Sequence, residues 1–437
     1  MLTKHRNLCG MTLLITILCA GASAEVFAAE KPSFVRVEGT QLFLEKSDEP
    51  YMIKGVNWSP ATRAPDKGVD PTQPNQTISY GFFFDMPYRR ATGYDVWDYW
   101  LKKEYRKYYK TDIRLMKEMG VTTVRIRNFG IDRHAYKKIL DAFYENGISV
   151  IMTLDVAKKE IGDRRRLEKI VGLCKDHPAM LMWSLEPAWD IQADQFYEYG
   201  SPANTLKAVN HAAKIIKGVD QYHPVDVCIA EMLFGDAKTS PGAEFVAKCD
   251  AIDVFGINVY SENGLQNVLK MWKKLTTKPM YISRMGTDSF KTEKYEVMNG
   301  YQAVKVQGKE DQKAQADYII GLWEIIKKNL SATDPENVCL GALVTEFNDV
   351  LWPVGCYHFQ MGGVFDYSDI GRETSYKEYD TEGMYFKGGA PDDVVNIEYT
   401  GIVDADRKPK LAYTELQRYY KELEGGPAAA EEKPDKE

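Results

Sequence analysis

The sequence is poor in cysteine and histidine and, beyond its first two dozen residues, has no long apolar run. Seven cysteines stand among 437 residues, and two of them, Cys9 and Cys19, fall in the N-terminal stretch. The other five, Cys174, Cys228, Cys249, Cys339 and Cys356, match no zinc-ligand spacing. One or two disulfides and buried free thiols are both open. The six histidines form no His-Glu-x-x-His pattern or other His pair suited to a metal. Gly81, Gly93 and Gly120 make no phosphate-binding loop, and Ser289 after Asp288 lacks a nucleophile-elbow context. No metal and no cofactor is expected. Basic residues are outnumbered, 56 Lys and Arg against 63 Asp and Glu, giving a net charge of -7. That balance argues against nucleic acid as a partner, because phosphate binding needs a basic surface. Without a further run of 18 apolar residues, no transmembrane helix is expected after the N-terminus.

What is present begins with an address. Lys4, His5 and Arg6 precede an apolar run from Leu8 to Cys19, and Ala22-Ser23-Ala24 supplies a small-residue cleavage pattern. Residues 1–24 therefore read as a signal peptide and the protein as periplasmic or secreted. Residues 25–424 read as one domain. Gly425–Glu437 (GGPAAAEEKPDKE) reads as a disordered acidic tail. Aromatics are plentiful, with 27 Tyr, 17 Phe and 8 Trp. Flat rings at a cleft are what sugar rings stack on, although most aromatics in any protein are core.

Between these ends, short β-type runs alternate with helical patterns. The runs are Met52–Val56, Thr122–Ile126, Ser149–Leu154, Met180–Leu185, Pro224–Ile229, Ala251–Asn258, Pro279–Ser283 and Ala342–Phe347. Helices are expected at Thr111–Met119, Ala135–Glu145, Arg164–Lys175, Leu206–Lys217, Leu265–Lys274, Gln312–Lys328 and Leu411–Leu423. Eight βα units in one series predict an α/β fold, a (β/α)8 TIM barrel. Phe34–Leu44 alternates around Gly39 and predicts an N-terminal hairpin closing the barrel bottom. Two long loops, Asp66–Trp100 after strand one and Met361–Asn396 after strand eight, fall on the C-terminal face, where this fold builds its sites.

The segments YMIKGVNWSP, MKEMGVTTVRIRNFG, FYENGISVIM, HPAMLMWSL, DVFGINVYSENG, KPMYISRMGTDSF and NIEYTGIVDADRKPKLAY follow one another along the chain. Together, from about Phe34 to Gln417, they resemble the landmarks of clan A glycoside hydrolases, nearest to bacterial relatives of β-glucanases and β-1,3-glucanosyltransferases. The resemblance implies two carboxylates at the barrel mouth: an acid/base ending strand four and a nucleophile ending strand seven. A separation of about 5–5.5 Å permits a covalent glycosyl intermediate.

At both positions this sequence departs from the pattern. Aligned without gaps on Trp183 and Trp189, the strand-four motif places Ala188 where the acid/base belongs. A second alignment, two residues shorter, keeps Glu186 as the acid. The strand-seven motif, Lys278 to Asp288, aligns without gaps and puts Arg284 at the nucleophile position. A guanidinium stays protonated and cannot form a glycosyl ester. Glu186, Asp288 and Glu346 are the candidate replacement carboxylates. The resemblance assigns Asn57, Trp58, Asn128, Trp189, Asn258, Tyr260, Asn348, Asp349 and Trp352 to saccharide binding. The bland reading of the Asn and Asp residues is that they cap helices and turns. Asn396 and Glu398 resemble a late Asn-Glu-Glu motif. Arg125, also counted with the binding residues, holds the nucleophile carboxylate in this clan. With Arg284 in that place, an acidic group or an anionic ligand must compensate two guanidiniums.

Three readings follow. The first is an exported glycoside-hydrolase-like protein that has lost catalysis and binds a polysaccharide, or an envelope protein partner, within an envelope or exopolysaccharide system; Arg284 points to an anionic saccharide such as a uronate. The second is an active β-glycosidase or transglycosidase on β-glucan, with a relocated carboxylate pair. The third is a protein-interaction scaffold with an occluded cleft. Fold alone does not choose among them.

Overall fold

Alternation in the first strand already sets the geometry of the whole. In Ile53–Asn57 the side chains of Ile53 and Asn57 point to one side, with Gly55 between them, and those of Lys54 and Val56 to the other. The computed structural model describes residues 34–45, 47–60, 80–81, 84–85, 96–127, 133–155, 164–186, 202–231, 234, 240–259, 261–297, 303–349, 381–385, 391–396 and 399–425. All belong to one unit, Lys31–Glu437. Residues 1–33 and 426–437, which include the stretches read from the sequence as a signal peptide and an acidic tail, lie outside the described residues.

The chain opens with a hairpin, β1 (Val35–Glu38) and β2 (Gln41–Leu44). After β3 (Ile53–Asn57) comes a short antiparallel pair, β4 (Tyr80–Gly81) and β5 (Phe84–Asp85). The series continues with α1 (Val96–Met119), β6 (Thr123–Arg127), α2 (Arg133–Tyr144), β7 (Ser149–Asp155), α3 (Arg164–Cys174) and β8 (Met180–Glu186). Next are α4 (Pro202–Val219), β9 (Val225–Ala230), α5 (Pro241–Lys248), β10 (Val254–Asn258), α6 (Glu262–Leu275) and β11 (Met280–Met285). An antiparallel pair, β12 (Phe290–Val297) and β13 (Ala303–Glu310), precedes α7 (Gln312–Lys327) and β14 (Cys339–Val344). β15 (Thr381–Tyr385), β16 (Val394–Val395) and α8 (Leu411–Leu423) complete it.

Eight parallel strands close into a barrel in the order β10-β11-β14-β3-β6-β7-β8-β9. This is the predicted (β/α)8 TIM barrel, and all eight predicted runs are its strands. The seam between first and last strand is tight. A Cβ on Gly341, whose φ is +126°, would lie 2.0 Å from the carbonyl oxygen of Ile53. A Cβ on Gly55 would lie 2.2 Å from that of Thr123, so only glycine fits at either position.

Val35 and Leu42 of the hairpin pack with Ile53, Ile151, Leu181, Val254, Tyr281 and Leu340 inside the barrel. Gln41 and Thr40 donate to the carbonyls of Ser331 and Pro335, in the connection that leads into β14. The hairpin therefore closes the bottom, as expected. The larger core lies between strands and helices, around Trp183, Phe255, Trp272, Trp323 and Tyr420.

The structure corrects the loop reading in two places. Helix α1 begins at Val96 and so absorbs the end of the stretch assigned to loop one. Its buried stripe is Tyr105, Tyr109, Asp112, Met116 and Met119, a helical spacing carried partly by polar and aromatic residues. The β12–β13 pair also stood outside the expected elaboration of loops one and eight. It joins β15 and β16 in a four-stranded antiparallel sheet, β12-β13-β15-β16, so an insertion after strand seven pairs with the loop after strand eight. No described helix is long and apolar enough to cross a membrane. Cys174, Cys228, Cys249 and Cys339 are buried free thiols; Cys356 lies outside the described residues.

Candidate functional site

The inward positions of the strands build a connected polar layer across the barrel. Asn57 ends β3 and donates from Nδ2 to the Ser283 carbonyl (2.9 Å) and to Thr345 Oγ1 (2.9 Å). Ser283 in turn donates from Oγ to Asn258 Oδ1 (2.7 Å). Arg125 donates to Asn57 Oδ1 and to Ser184 Oγ, each at 3.3 Å. Ser184 donates to Asp226 Oδ1 (2.8 Å), and Tyr281 donates from its hydroxyl to Asp226 Oδ2 (2.9 Å). The structure thus joins three predicted residues, Asn57, Arg125 and Asn258, in one network. All three are buried.

Arg284 stands at the end of β11, in register with Asn258, and is 6% exposed. Its carbonyl accepts from the Val259 N–H (2.8 Å). The residue before it, Ser283, carries the carbonyl that Asn57 holds, so the Arg284 backbone is tied to the same layer as Arg125. Glu186 ends β8 and pairs with Asp155 of β7. Glu346 follows β14 and is buried; its N–H donates to the Thr400 carbonyl (3.3 Å). Ala188, Asn128, Trp189, Tyr260 and Trp352 lie outside the described residues.

Four of the residues singled out from the sequence have well-defined surroundings. Trp58 does not line the cleft. It follows Asn57 on the chain and therefore faces the other way, packing edge-on against Tyr105 and Phe143. Its indole N–H donates to Asp112 Oδ2 of α1 (2.9 Å). Asn348 is buried, with its amide on the Asp349 carbonyl (3.0 Å). Asp349 is fully buried in an ion pair with Lys410 Nζ (2.7 Å) and accepts from the Gly401 N–H (3.0 Å). Asp288 accepts from the N–H groups of Phe290 and Asn396, both at 2.9 Å, which fastens β12 to the late segment. Its carboxylate also lies within reach of the Asn396 side-chain amide (3.4 Å). Asn396 is thereby placed as its partner; Glu398 lies outside the described residues.

Two carboxylates were missed. Asp226 is the acidic group that reaches Arg125 through Ser184, and it was not among the candidates. Its signal was a polar residue two positions before Cys228 in the run VDVCIA, on the inward face. Glu231, just past β9, accepts from Ser261 Oγ (3.0 Å) beside the first turn of α6. A Cβ on Gly264 would lie 2.2 Å from its carboxyl carbon, so that glycine makes its room. A carboxylate there is favoured by the helix N-terminus. Among the described residues, no three His, Cys, Asp or Glu side chains converge as a metal site requires.

Burial pushes four of the described carboxyls up: Asp226 and Asp288 to about 7, Asp349 to about 6 against the pull of Lys410, and Asp112 above its ordinary value against the pull of Arg407. An unfolded Asp titrates near 3.9. Over the window from about pH 4 to 7 the folded chain therefore holds protons that the unfolded chain has released, and stability falls as pH rises. Each pH unit between folded and unfolded values is worth about 1.4 kcal/mol per group. The melting temperature is expected to be several degrees higher at pH 5 than at pH 8 by scanning calorimetry; a flat or rising profile would contradict it.

No protein-family model matches the chain, and no curated protein sequence matches it. Solved structures do match. The β-D-glucuronidase of Dictyoglomus thermophilum aligns over 91% of this chain and 54% of its own, at 16% identity and a TM-score of 0.53. The GH2 β-galacturonidase of Eisenbergiella tayi, bound to galacturonate, aligns over 90% and 54%, at 16% identity and TM-score 0.51. Bacteroides uniformis β-glucuronidase 2, covalently bound to cyclophellitol-6-carboxylate aziridine, aligns over 89% and 37%, at 15% identity and TM-score 0.51. The fold shared with these proteins is the barrel. The chain spans about half the length of the first of these proteins, and at such identities the likeness concerns the fold alone.

Proposed function

We propose that this is an exported glycoside-hydrolase-like protein that has lost double-displacement catalysis and binds an anionic saccharide at its barrel mouth. The observation that carries the reading is Arg284 near the end of the seventh barrel strand, where the resemblance to clan A glycoside hydrolases implies a carboxylate nucleophile. A guanidinium there opposes the positive charge of an oxocarbenium-like transition state and suits a uronate carboxylate instead. The neighbours named for galacturonate and glucuronide substrates are consistent with a barrel of this shape receiving acidic sugars.

Calorimetric titration with oligogalacturonates and with neutral β-glucan oligosaccharides tests the reading. Binding of the acidic series, weakened at least tenfold by Arg284→Gln, is the expected result. Tighter binding of the neutral series would overturn it. Incubation with cyclophellitol-6-carboxylate aziridine is expected to leave no covalent adduct by intact-mass spectrometry, since Arg284 cannot be alkylated as a nucleophilic carboxylate would be.

An enzymatic reading has one specific support. Glu186 ends the fourth barrel strand and Glu346 follows the eighth, so two carboxyl-bearing residues remain on the rim. Hydrolysis of β-glucan that is abolished by Glu186→Gln and by Glu346→Gln would favour it. Activity that survives both changes would remove these residues from the mechanism.

A further inference from the structure

The β12–β13 pair is inserted between the seventh barrel strand and α7, so it rises from the C-terminal face of the barrel. One side of its sheet is already covered. Phe290 and Val306 pack there with Val394 and Tyr399 of the late segment in a small core of their own. The other side follows from alternation. Lys291, next to Phe290, lies on it directly opposite Lys309, and two like charges in register repel. Lys294 stands three positions after Lys291, so in an unbroken strand it would face the core. A register shift between Thr292 and Lys294 leaves Glu293 as an extra residue, and Lys294 falls opposite Gln307, two positions from Lys309. The bulge thereby gathers Lys291, Lys294 and Lys309 on the outward face, in rows about 7 Å apart along the strands and about 5 Å across them.

All three lysines are exposed. Glu293 is the carboxylate among them. It pairs with Lys309 Nζ (2.7 Å), and that hydrogen bond, helped by the charges of Lys309, Lys291 and Lys294, holds its carboxyl below the ordinary value. Among the described residues, neither Lys291 nor Lys294 has an ion-pair partner. Lysines on an edge strand ordinarily block pairing with another chain, which accounts for those on β12. It does not account for Lys309, because β13 is paired on both sides, with β12 and β15. Nor does it account for the bulge that turns Lys294 to the same face.

We propose that this outward face is a second saccharide-binding surface, which holds an anionic polysaccharide extending from the barrel mouth by contacts between its carboxylates and Lys291, Lys294 and Lys309. The inference takes its ligand class, a polyuronate, from the proposed function, and its place from the sheet. Lysines set in rows on two strands suit a ligand that repeats a carboxylate along its length. A carboxylate seated between Lys291 and Lys309 relieves their repulsion.

The experiment uses the whole protein and isothermal titration with trigalacturonate and dodecagalacturonate at about 0.05 M salt, where screening is weak. The dodecamer is expected to bind more tightly than the trimer. The double variant Lys291→Gln with Lys294→Gln is expected to weaken the dodecamer about fivefold, the worth of two exposed charge contacts, and to change the trimer less than about twofold. Glu293→Gln removes the competing carboxylate and is expected to tighten the dodecamer about twofold. Both effects are expected to fade at about 1 M salt, where the screening length falls to about 3 Å. A dodecamer affinity unchanged in the double variant would overturn the proposal while leaving trimer binding at the mouth intact. Dodecamer binding without trimer binding would support the sheet surface and sink the reading of the mouth. If neither binds, both fall. Displacement of the dodecamer by a single-stranded oligonucleotide or by phosphatidylglycerol vesicles at equal charge concentration would also overturn it, by showing a surface that does not select saccharide.

Discussion

Asp112→Ala is expected to destabilise the fold by about 3–5 kcal/mol, the cost of leaving a buried charge without its partner. Arg407 grips Asp112 with two parallel bonds, Nε to Oδ1 at 2.9 Å and Nη2 to Oδ2 at 3.1 Å. Neither side chain is more than 3% exposed. The same carboxylate accepts the Trp58 indole, and Arg407 also donates to the Pro60 carbonyl (2.9 Å) and lies 3.8 Å above the Tyr108 ring. Truncation at Asp112 therefore leaves both a guanidinium and an indole N–H without their acceptor. Arginine cannot escape by losing its proton, so the loss is expected to be the same at pH 5 and pH 8. Chemical denaturation at both values measures it. The double variant Asp112→Leu with Arg407→Met is expected to recover most of the stability, because removing both charges removes the unpaired one. A loss below about 1 kcal/mol in the single variant would show that the pair is not holding the late segment to α1.

Lys410→Met is the second large effect, and its pH dependence has the opposite character. Lys410 reaches Asp349 at 2.7 Å, Ser289 Oγ at 3.0 Å and the Tyr399 carbonyl at 3.3 Å. Methionine keeps the volume and removes the charge. The group left behind is a carboxyl, which burial already raises to about 6, and a carboxyl can neutralise itself by taking a proton. The expected loss is about 3–5 kcal/mol at pH 8, shrinking to about 1–2 kcal/mol at pH 5. Equal losses at the two pH values would mean that Asp349 remains ionised without its partner.

These two pairs also mark where the sequence stops being readable. The barrel strands were legible because each is a short apolar run between helical patterns, and the closing helix Leu411–Leu423 was legible to the residue. The partners of Asp112 and Asp349 lie 295 and 61 residues away along the chain, and no local periodicity announces such a contact. Trp58 is a different case. The two-residue period of a strand already argues that Asn57 and Trp58 cannot both face the cleft, and the family resemblance overrode that signal. The β12–β13 pair escaped notice because Lys, Glu and Tyr fill its outward positions and blur the alternation. Asp226 was hidden by its neighbours: one acid within an apolar strand reads as strand interior until the fold brings Arg125 across from it.

The seam between β3 and β14 has a consequence in time rather than in energy. Ile53 cannot meet Gly341 until nearly 290 intervening residues have been made and arranged. The entropy of closing so long a loop grows only with the logarithm of its length. The search for the contact is nonetheless slow, because non-local strand pairing limits folding rates. Until β14 arrives, β3 and β11 each present an unpaired edge, the kind of surface through which incomplete chains join one another. Closure of the barrel is thus a late event, followed only by the docking of the segment that carries Arg407 and α8, and the polar layer at its mouth, which spans that seam through Asn57 and Thr345, exists only after it.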